Sequence, residues 1–283
     1  MCRFALYLGD QAIPVSALVT EPEHSLIHQS YQSRERSEPL NGDGFGVAWY
    51  AESNAEPALF KDISPAWSNA NLRHLARVTK SRCILAHVRA ATAGLPVTYT
   101  NCHPFGEQQL SFMHNGELSC FTEKRRQGLA MLSDRAYRVI KGTTDSEFLF
   151  ALFLDQYWEL PSDSTPLQRL KTALRQTIQK AAELSDRNRY GTSTLNLVVA
   201  DGQRVVASRY TDGNPEEANS LYVQSGGSYC CEDGFCSMTD TEAQHRSVII
   251  TSEGLNDDPQ WQRVPVNHFV TVDKALEVVL EKI

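Results

Sequence analysis

The chain has 283 residues, of which 41% are hydrophobic and 22% are charged, and its formal net charge is −7. These values are typical of globular proteins and exclude disordered, collagen-like and coiled-coil classes. The acidic balance opposes a polyphosphate backbone, so we expect no nucleic-acid partner. The sequence contains no apolar run of about 18 residues and no signal-peptide pattern, so we expect a cytoplasmic protein that does not enter a membrane.

Seven cysteines are spread over the chain. An odd number in a long chain does not resemble a disulfide framework, so reduced thiols are expected. The densest group is Cys230, Cys231 and Cys236, followed by His245. Because the group lacks the Cys-x-x-Cys spacing of zinc sites, we predict no metal there. A thiol-redox role for this group stays open as an alternative function.

The first half of the chain favours strands. Short apolar runs at 3–8, 46–50, 83–88 and 110–113 are separated by turn residues. The last of them leads into His114, Asn115 and Gly116. Since Asn-Gly is a dipeptide of tight turns, the sequence predicts a turn at Asn115 and Gly116.

Two helices and further strands follow. Apolar residues recur at helical spacing from Asp145, with Thr144 or Asp145 as N-cap, and again from Pro166. Period-2 segments at 195–200 and 204–210 predict a hairpin around the turn 201–202, and strands are expected at 221–224, 248–252 and 269–272. This order predicts a single α+β domain with antiparallel sheets, and the absence of phosphate-binding Gly motifs disfavours a nucleotide fold.

Cys2 is the most informative single residue. Removal of Met1 would place a thiol and a free α-amine on Cys2. An α-amine has a pKa of about 7.7 to 8.0, so it can act as general base for its own thiol. A cysteine at this position is by itself usually incidental, so a catalytic role depends on other residues.

Those residues occur as an ordered set of segments: 1–4 (MCRF), 41–46 (NGDGFG), 87–92 (HVRAAT), 101–104 (NCHP), 114–116 (HNG) and 144–147 (TDSE). Together they resemble the class II glutamine amidotransferases, which are N-terminal-nucleophile hydrolases. Segments 64–67 and 94–97 are similar to a free-standing branch that includes the amidotransferase-like subunit of the fungal glutathione-degradation complex and the γ-glutamyl hydrolase of ergothioneine synthesis. The resemblance implies a four-layer αββα fold and one amidotransferase domain over 2–283.

The resemblance also implies residue roles. Cys2 would be the nucleophile, and Asn115 and Gly116 would form the oxyanion hole. Arg89, Thr92 and Asp145 would bind substrate, with Arg89 on the α-carboxylate and Asp145 on the α-ammonium. Taken alone, Arg89 would be a structural ion-pair residue, Asp145 a helix cap and Asn115-Gly116 a plain turn. No metal or organic cofactor is implied.

The sequence does not decide between several candidate substrates. Ala90 and Ala93 replace an aromatic residue and a histidine of the hexosamine-synthesis branch, so we favour a γ-glutamyl compound such as glutathione over glutamine. A partner peptidase would then act on the released dipeptide. The alternatives are a glutaminase subunit that supplies ammonia to a partner synthase, and a non-catalytic γ-glutamyl-binding module.

Three further features have secondary roles in this interpretation. The histidines at 87, 103 and 114 are expected to be buried hydrogen-bonding residues that shape the pocket, because the α-amine already supplies a base. The loop at 41–46 is expected to close on Cys2, and the segment 252–255 is interpreted as a loop variant of the branch.

Overall fold

A computed structural model describes residues 2–35, 40–91, 94–232, 234–239 and 245–283. In this part of the chain the helices and strands are β1 (Arg3–Pro14), α1 (Ser16–Val19), α2 (Leu26–Tyr31), β2 (Phe45–Trp49), β3 (Ala58–Asp62), α3 (Ala70–Val78), β4 (Lys80–Val88), β5 (Phe105–Glu107), β6 (Leu110–Glu117), α4 (Phe121–Ala130), α5 (Asp134–Tyr137), α6 (Asp145–Glu159), α7 (Pro166–Leu184), α8 (Arg187–Tyr190), β7 (Thr194–Ala200), β8 (Val205–Arg209), β9 (Tyr222–Gly226), β10 (Tyr229–Glu232), β11 (Phe235–Met238), β12 (Ser247–Thr251), β13 (Gln262–Arg263), β14 (His268–Val272) and β15 (Val278–Lys282).

Two antiparallel sheets form the centre of the fold. One has the strand order β13-β9-β12-β1-β4-β2-β3, and the other has the order β15-β14-β8-β7-β6-β5. A separate hairpin joins β10 to β11. The α+β prediction and the two stacked antiparallel sheets are confirmed.

Strand β1 shows how the alternation of side chains builds these layers. Phe4, Leu6 and Leu8 are buried in a cluster with apolar residues of the second sheet. Ala5 and Tyr7 lie on the opposite face and pack in a cluster that includes residues of α1 to α3. Because successive strand residues point to opposite faces, an apolar strand of this kind is buried on both sides.

Helices α6 and α7 cover the outer face of the second sheet. Their apolar residues share one buried cluster with Phe112, Leu197 and Val206. The Thr144 side chain accepts a hydrogen bond from the N–H of Glu147, so Thr144 is the N-cap of α6, and Pro166 occupies the first turn of α7. Both helix starts agree with the sequence prediction.

The predicted tight turn at Asn115 and Gly116 is wrong. Both residues lie inside β6, where Asn115 pairs with Asn196 and Gly116 pairs with Leu195. The dipeptide is a local turn signal, but seven successive pairs with β7 continue the strand through it. Glycine is needed at this point for space, since a Cβ on Gly116 would stand 1.8 Å from the carbonyl oxygen of Thr194.

The expectation of reduced thiols is also wrong for one pair. Cys231 and Cys236 face each other across the β10–β11 hairpin and form a disulfide, with their Cα atoms 4.0 Å apart. Their direct cross-strand pairing brings the two sulfurs together, which spacing along the chain does not reveal. Cys230 is free and exposed. Among the helices of the described residues, none is both long and apolar enough to cross a membrane.

Candidate active site

Cys2 immediately precedes β1, the strand that pairs with β4. The pair Arg3–Val88 closes the β1–β4 ladder, so Cys2 lies beside the segment that follows β4. Its Sγ is 3.7 Å from the carbonyl oxygen of Ala90. The residue as a whole is half-buried.

A buried ion pair fixes the backbone at Cys2. The Arg3 guanidinium donates through Nη1 to the carbonyl oxygen of Cys2 (2.8 Å) and through Nε to Glu253 Oε1 (2.5 Å). Glu253 also contacts His24 Nε2 at 2.8 Å and accepts hydrogen bonds from Ser33 Oγ and from the backbone N–H of Arg34. These contacts fix the Glu253 carboxylate beside Arg3, which in turn binds the carbonyl oxygen of Cys2.

The pKa of Glu253 records this arrangement. Burial raises this pKa, but the hydrogen bond with His24, the positive charge of Arg3 and the hydrogen bond from Ser33 lower it by more, so that it lies at about 2. Glu253 is therefore ionised at neutral pH and can hold the Arg3 cation.

The surroundings of the Cys2 thiol shift its pKa in opposite directions. Burial raises its pKa, the positive charge of Arg89 lowers it, and the negative charge of Asp145 raises it. The thiol is therefore protonated at neutral pH and needs a base before it can act as a nucleophile. Because their charges shift the pKa of the thiol, Arg89 and Asp145 lie close enough to the sulfur to interact with it electrostatically.

The glycine-rich loop before β2 packs on the segment after β4. The N–H of Asp43 donates to the carbonyl of Arg89 (3.0 Å), the N–H of Arg89 donates to the carbonyl of Gly44 (2.8 Å), and Asp43 Oδ2 accepts from the N–H of Ala91 (2.8 Å). Gly44 has φ +104°, and a Cβ there would stand 2.6 Å from Cys102 Sγ. The loop thus contacts the segment whose Ala90 carbonyl touches Cys2.

Arg89 is a buried cation without a counter-ion in the described part of the chain. Only 3% of it is exposed, and its Nη1 contacts a backbone carbonyl oxygen, that of Asp43, at 3.3 Å. No described carboxylate lies within 4.0 Å of its guanidinium. Burying a cation in this way is costly unless an anion joins it, so the geometry indicates an anion-binding position.

Asp145 carries the opposite charge. Its Oδ2 accepts from the N–H of Leu118 (2.8 Å), and its Oδ1 accepts from the N–H of Ser146 (2.7 Å). Within the described ranges no Lys or Arg nitrogen approaches its carboxylate within 4.0 Å. Arg89 and Asp145 therefore offer a cation and an anion near one thiol, an arrangement that fits the carboxylate and ammonium of an amino acid.

Asn115 is tied to the nucleophile strand through Ser252. The Asn115 side chain is fully buried and donates through Nδ2 to Ser252 Oγ (3.2 Å), which also accepts from the N–H of Phe4 (3.1 Å). Its Nδ2 has a second N–H for another acceptor. Gly116 lies inside β6, so the direction of its N–H is set by the sheet.

The three histidines are buried and uncharged. Burial lowers the pKa of each, to about 3 for His87. The Nε2 of His87 contacts the carbonyl oxygen of His114 (3.1 Å), and Nδ1 of His114 contacts Ser146 Oγ (2.9 Å). Their predicted burial is confirmed, but His103 makes no hydrogen bond within the described residues and stacks on His87 at 4.2 Å between ring centroids.

The structure brings Cys2, Arg89 and Asp145 to one place and links Asn115 to it, whereas Thr92 and Met1 lie outside the described residues. Sequence reasoning missed the roles of Ser252 and Glu253, although it singled out the segment 252–255. Their partners Phe4 and Arg3 lie about 250 positions away in the chain, so no local pattern could have found the contacts.

Solved structures with the same architecture are amidotransferases. A glutamine aminotransferase class-II domain protein from Silicibacter pomeroyi aligns over 99% of both chains with TM-score 0.65 and 25% identity. The glutamine phosphoribosylpyrophosphate amidotransferase of Bacillus subtilis aligns with 100% of this chain and 49% of its own length, with TM-score 0.61 and 15% identity. The second likeness concerns the fold alone.

Sequence relatives give the same result. The probable glutamine amidotransferase DUG3 of Saccharomyces cerevisiae is 40% identical over 97% of this chain and 82% of its own length. The gamma-glutamyl-hercynylcysteine sulfoxide hydrolase of Mycolicibacterium smegmatis is 28% identical over 99% of each chain. The family model of class II glutamine amidotransferases matches residues 17–281. These findings confirm the predicted resemblance, the predicted enzyme class and the γ-glutamyl amide-cleaving type of function: the chain belongs to the class II glutamine amidotransferases.

Proposed function

We propose that this enzyme hydrolyses the γ-glutamyl amide bond of a γ-glutamyl peptide such as glutathione, with Cys2 as the nucleophile. The observation that carries the proposal is the pair of unmatched charges beside the thiol. Arg89 is a buried cation with no carboxylate partner in the described structure, and both Arg89 and Asp145 act on the Cys2 pKa. The α-carboxylate and α-ammonium of a glutamyl group supply the charges that these residues lack.

The reaction follows from the groups in place. The α-amine of Cys2, freed by removal of Met1, takes the thiol proton, and the thiolate attacks the γ-carbonyl carbon. The Asn115 amide and the Gly116 N–H would donate to the resulting oxyanion. When the intermediate collapses, the leaving amine takes a proton and departs, which leaves a glutamyl thioester on Cys2. Water then hydrolyses the thioester, releases glutamate and restores the thiol.

Two features support a γ-glutamyl peptide rather than glutamine. Ala90, whose backbone carbonyl contacts Cys2 Sγ, is smaller than the aromatic residue of the hexosamine-synthesis branch, and we infer that this leaves more room for a leaving group. The mycobacterial relative is named for hydrolysis of a γ-glutamyl compound with a large leaving group. A glutaminase subunit that feeds ammonia to a partner synthase is the alternative.

The proposal includes one amidotransferase domain over residues 2–283, with Met1 removed, in the cytoplasm. It also includes a partner subunit, a peptidase that degrades the released dipeptide. Intact-mass measurement of the active protein is expected to show a chain lighter by one methionine residue. An active enzyme that retains Met1 would contradict the α-amine as base.

Substrate choice is tested by glutamate release from glutathione, glutamine and a γ-glutamyl anilide. We expect kcat/KM for glutathione to exceed that for glutamine by at least about tenfold, because the binding energy of the larger leaving group contributes only with the peptide. Preference for glutamine, with ammonia release, would support the glutaminase alternative instead.

Recognition of the glutamyl group is tested with Arg89→Lys. We expect kcat/KM to fall by about 10²-fold, because an ammonium cannot make the two parallel hydrogen bonds of a guanidinium. The fold should persist, since no described carboxylate loses its partner. Arg77→Lys, at an exposed position on α3, is the matched control and should not change kcat/KM.

The specificity of this effect is tested with a substrate whose α-carboxylate is amidated. The wild-type enzyme should cleave it poorly, and Arg89→Lys should reduce its cleavage little further. An equal loss with both substrates would show that Arg89 does not bind the carboxylate.

A further inference from the structure

A second cavity lies outside the candidate active site, between strands β3 and β5 and helices α5 and α6. Its volume is about 530 Å³, within the usual range of small-molecule sites. Cys2, Arg89 and Asp145 are not part of its lining. The lining combines aromatic side chains with cationic ones, and two of the cations lie over aromatic rings: Lys61 Nζ is 5.3 Å from the ring centre of Phe105, and Arg135 stands over Trp158.

Lys61 is the most informative of these cations. It is half-buried, and its Nζ donates to the carbonyl oxygen of Cys102 (2.9 Å) while lying 5.2 Å from the ring centre of Tyr99. Within the described residues no carboxylate oxygen lies within 4.0 Å of this ammonium. Burial lowers the pKa of Lys61, as expected for a cation without a close anion.

Glu147, one of the two acidic side chains in the lining, is already bound by backbone N–H groups. Glu147 is 3% exposed, and its carboxylate accepts from the backbone N–H groups of Lys141 (2.7 Å) and Gly142 (2.5 Å). It therefore serves the backbone before α6, although its charge still raises the pKa of Lys61. Glu107 is the other acid in the lining.

The rim adds further positive charge. Arg138 lines the cavity, and in the described structure its guanidinium makes no ion pair. Arg135 lies 3.6 Å above the Trp158 ring, and Lys141 Nζ donates to the carbonyl of Arg138. Four cations thus surround the cavity against two carboxylates, of which one is bound by backbone N–H groups.

We propose that this cavity is a second ligand site, which binds a small organic anion. A carboxylate or phosphate would be held by Lys61 and Arg138, and an aromatic or aliphatic body would pack on the exposed or partly exposed side chains of Leu59, Tyr99 and Trp158. The half-buried Lys61 ammonium has no carboxylate partner within 4.0 Å among the described residues, so it favours an anion, and the exposed Arg138 adds positive charge at the rim. The partly exposed apolar side chains of the lining favour an apolar group. The bond from Lys61 to the Cys102 carbonyl connects the site with the segment that carries His103.

The test is calorimetric titration of the full chain with phenyl phosphate and with benzoate. At least one of them should bind, and the tighter one identifies the anion. Phenol and inorganic phosphate, which each lack one half of the ligand, should bind at least about tenfold more weakly. Failure of both phenyl phosphate and benzoate to bind would overturn the proposal.

Variants locate the binding. Arg138→Glu, at an exposed position, should weaken the tighter probe at least about tenfold, and Lys61→Met should do the same. Arg77→Glu, an equal charge change on α3, should leave the affinity unchanged. Equal affinity of the probe for Arg138→Glu and for the wild type would overturn the proposal. Loss of binding in Arg89→Lys would also overturn it, because that result would place the probe at the candidate active site around Cys2. The result does not depend on the proposed catalytic function.

Discussion

Replacing Cys2 with alanine is expected to lower glutamate release from the preferred γ-glutamyl substrate by at least about 10³-fold, because no thioester can form without the thiol. Cys2 is half-buried as a residue, and its Sγ contacts a backbone carbonyl, so removal of this one atom removes little packing. The protein should therefore fold normally, as measured by thermal unfolding, and should still bind glutamate. A continuous assay of glutamate release measures the loss.

Cys102→Ala is the control for this variant. Cys102 is a second thiol in the neighbourhood of Cys2, and it is completely buried, with its Sγ against the carbonyl of Thr98 (3.5 Å). Burial raises the pKa of its thiol, so it stays protonated and should not act as a nucleophile. We expect Cys102→Ala to keep most of the activity. Full activity in Cys2→Ala would assign the chemistry to another residue.

Replacing Glu253 with glutamine is expected to destabilise the fold by about 3–5 kcal/mol, because it leaves the buried Arg3 guanidinium without a counter-ion. Urea unfolding measures this change. Asp257→Asn is the matched control, since Asp257 pairs with Arg34 on an exposed surface and its loss should have little effect. The Glu253→Gln enzyme should also have a lower kcat, because Arg3 holds the backbone carbonyl of Cys2.

The pH dependence gives a further test of Glu253. Its pKa is about 2 in the folded protein and 4.5 in an ordinary environment. A lowered pKa contributes stability that is present above about pH 4.5 and is lost as the pH falls toward 2. The difference in stability between wild type and Glu253→Gln should therefore shrink across this range. A difference that stays constant down to pH 2 would contradict the ion-pair role.

The sequence predicted the positions of many strands and of both long helices correctly, because alternation and 3.6-residue periodicity are local signals. It failed where a local signal competed with a distant partner. Asn115 and Gly116 have the composition of a turn, but pairing with β7 keeps them in a strand. Cys231 and Cys236 gave no framework pattern, yet the register of one hairpin joins them.

In the candidate site, too, local motifs were predicted and long-range contacts were not. Cys2, Arg89, Asp145 and Asn115 were identified from short ordered motifs, and their catalytic and binding roles remain predictions for the experiments above. Ser252 and Glu253 were not assigned roles. Each acts through a contact with the start of β1, and only the pairing of β12 with β1 brings the two ends of the chain together.

The sequence by itself determined the family and the antiparallel α+β architecture, and it gave a prediction of the reacting residues, because these depend on residue type and short spacing. Only the tertiary structure decided the surroundings of those residues. The surroundings of Arg89, which has no counter-ion among the described residues, the ion pair that holds Cys2 and the cationic cavity beside β5 each depend on which side chains lie within a few ångströms. Such distances arise from packing between distant segments, which periodicity does not encode.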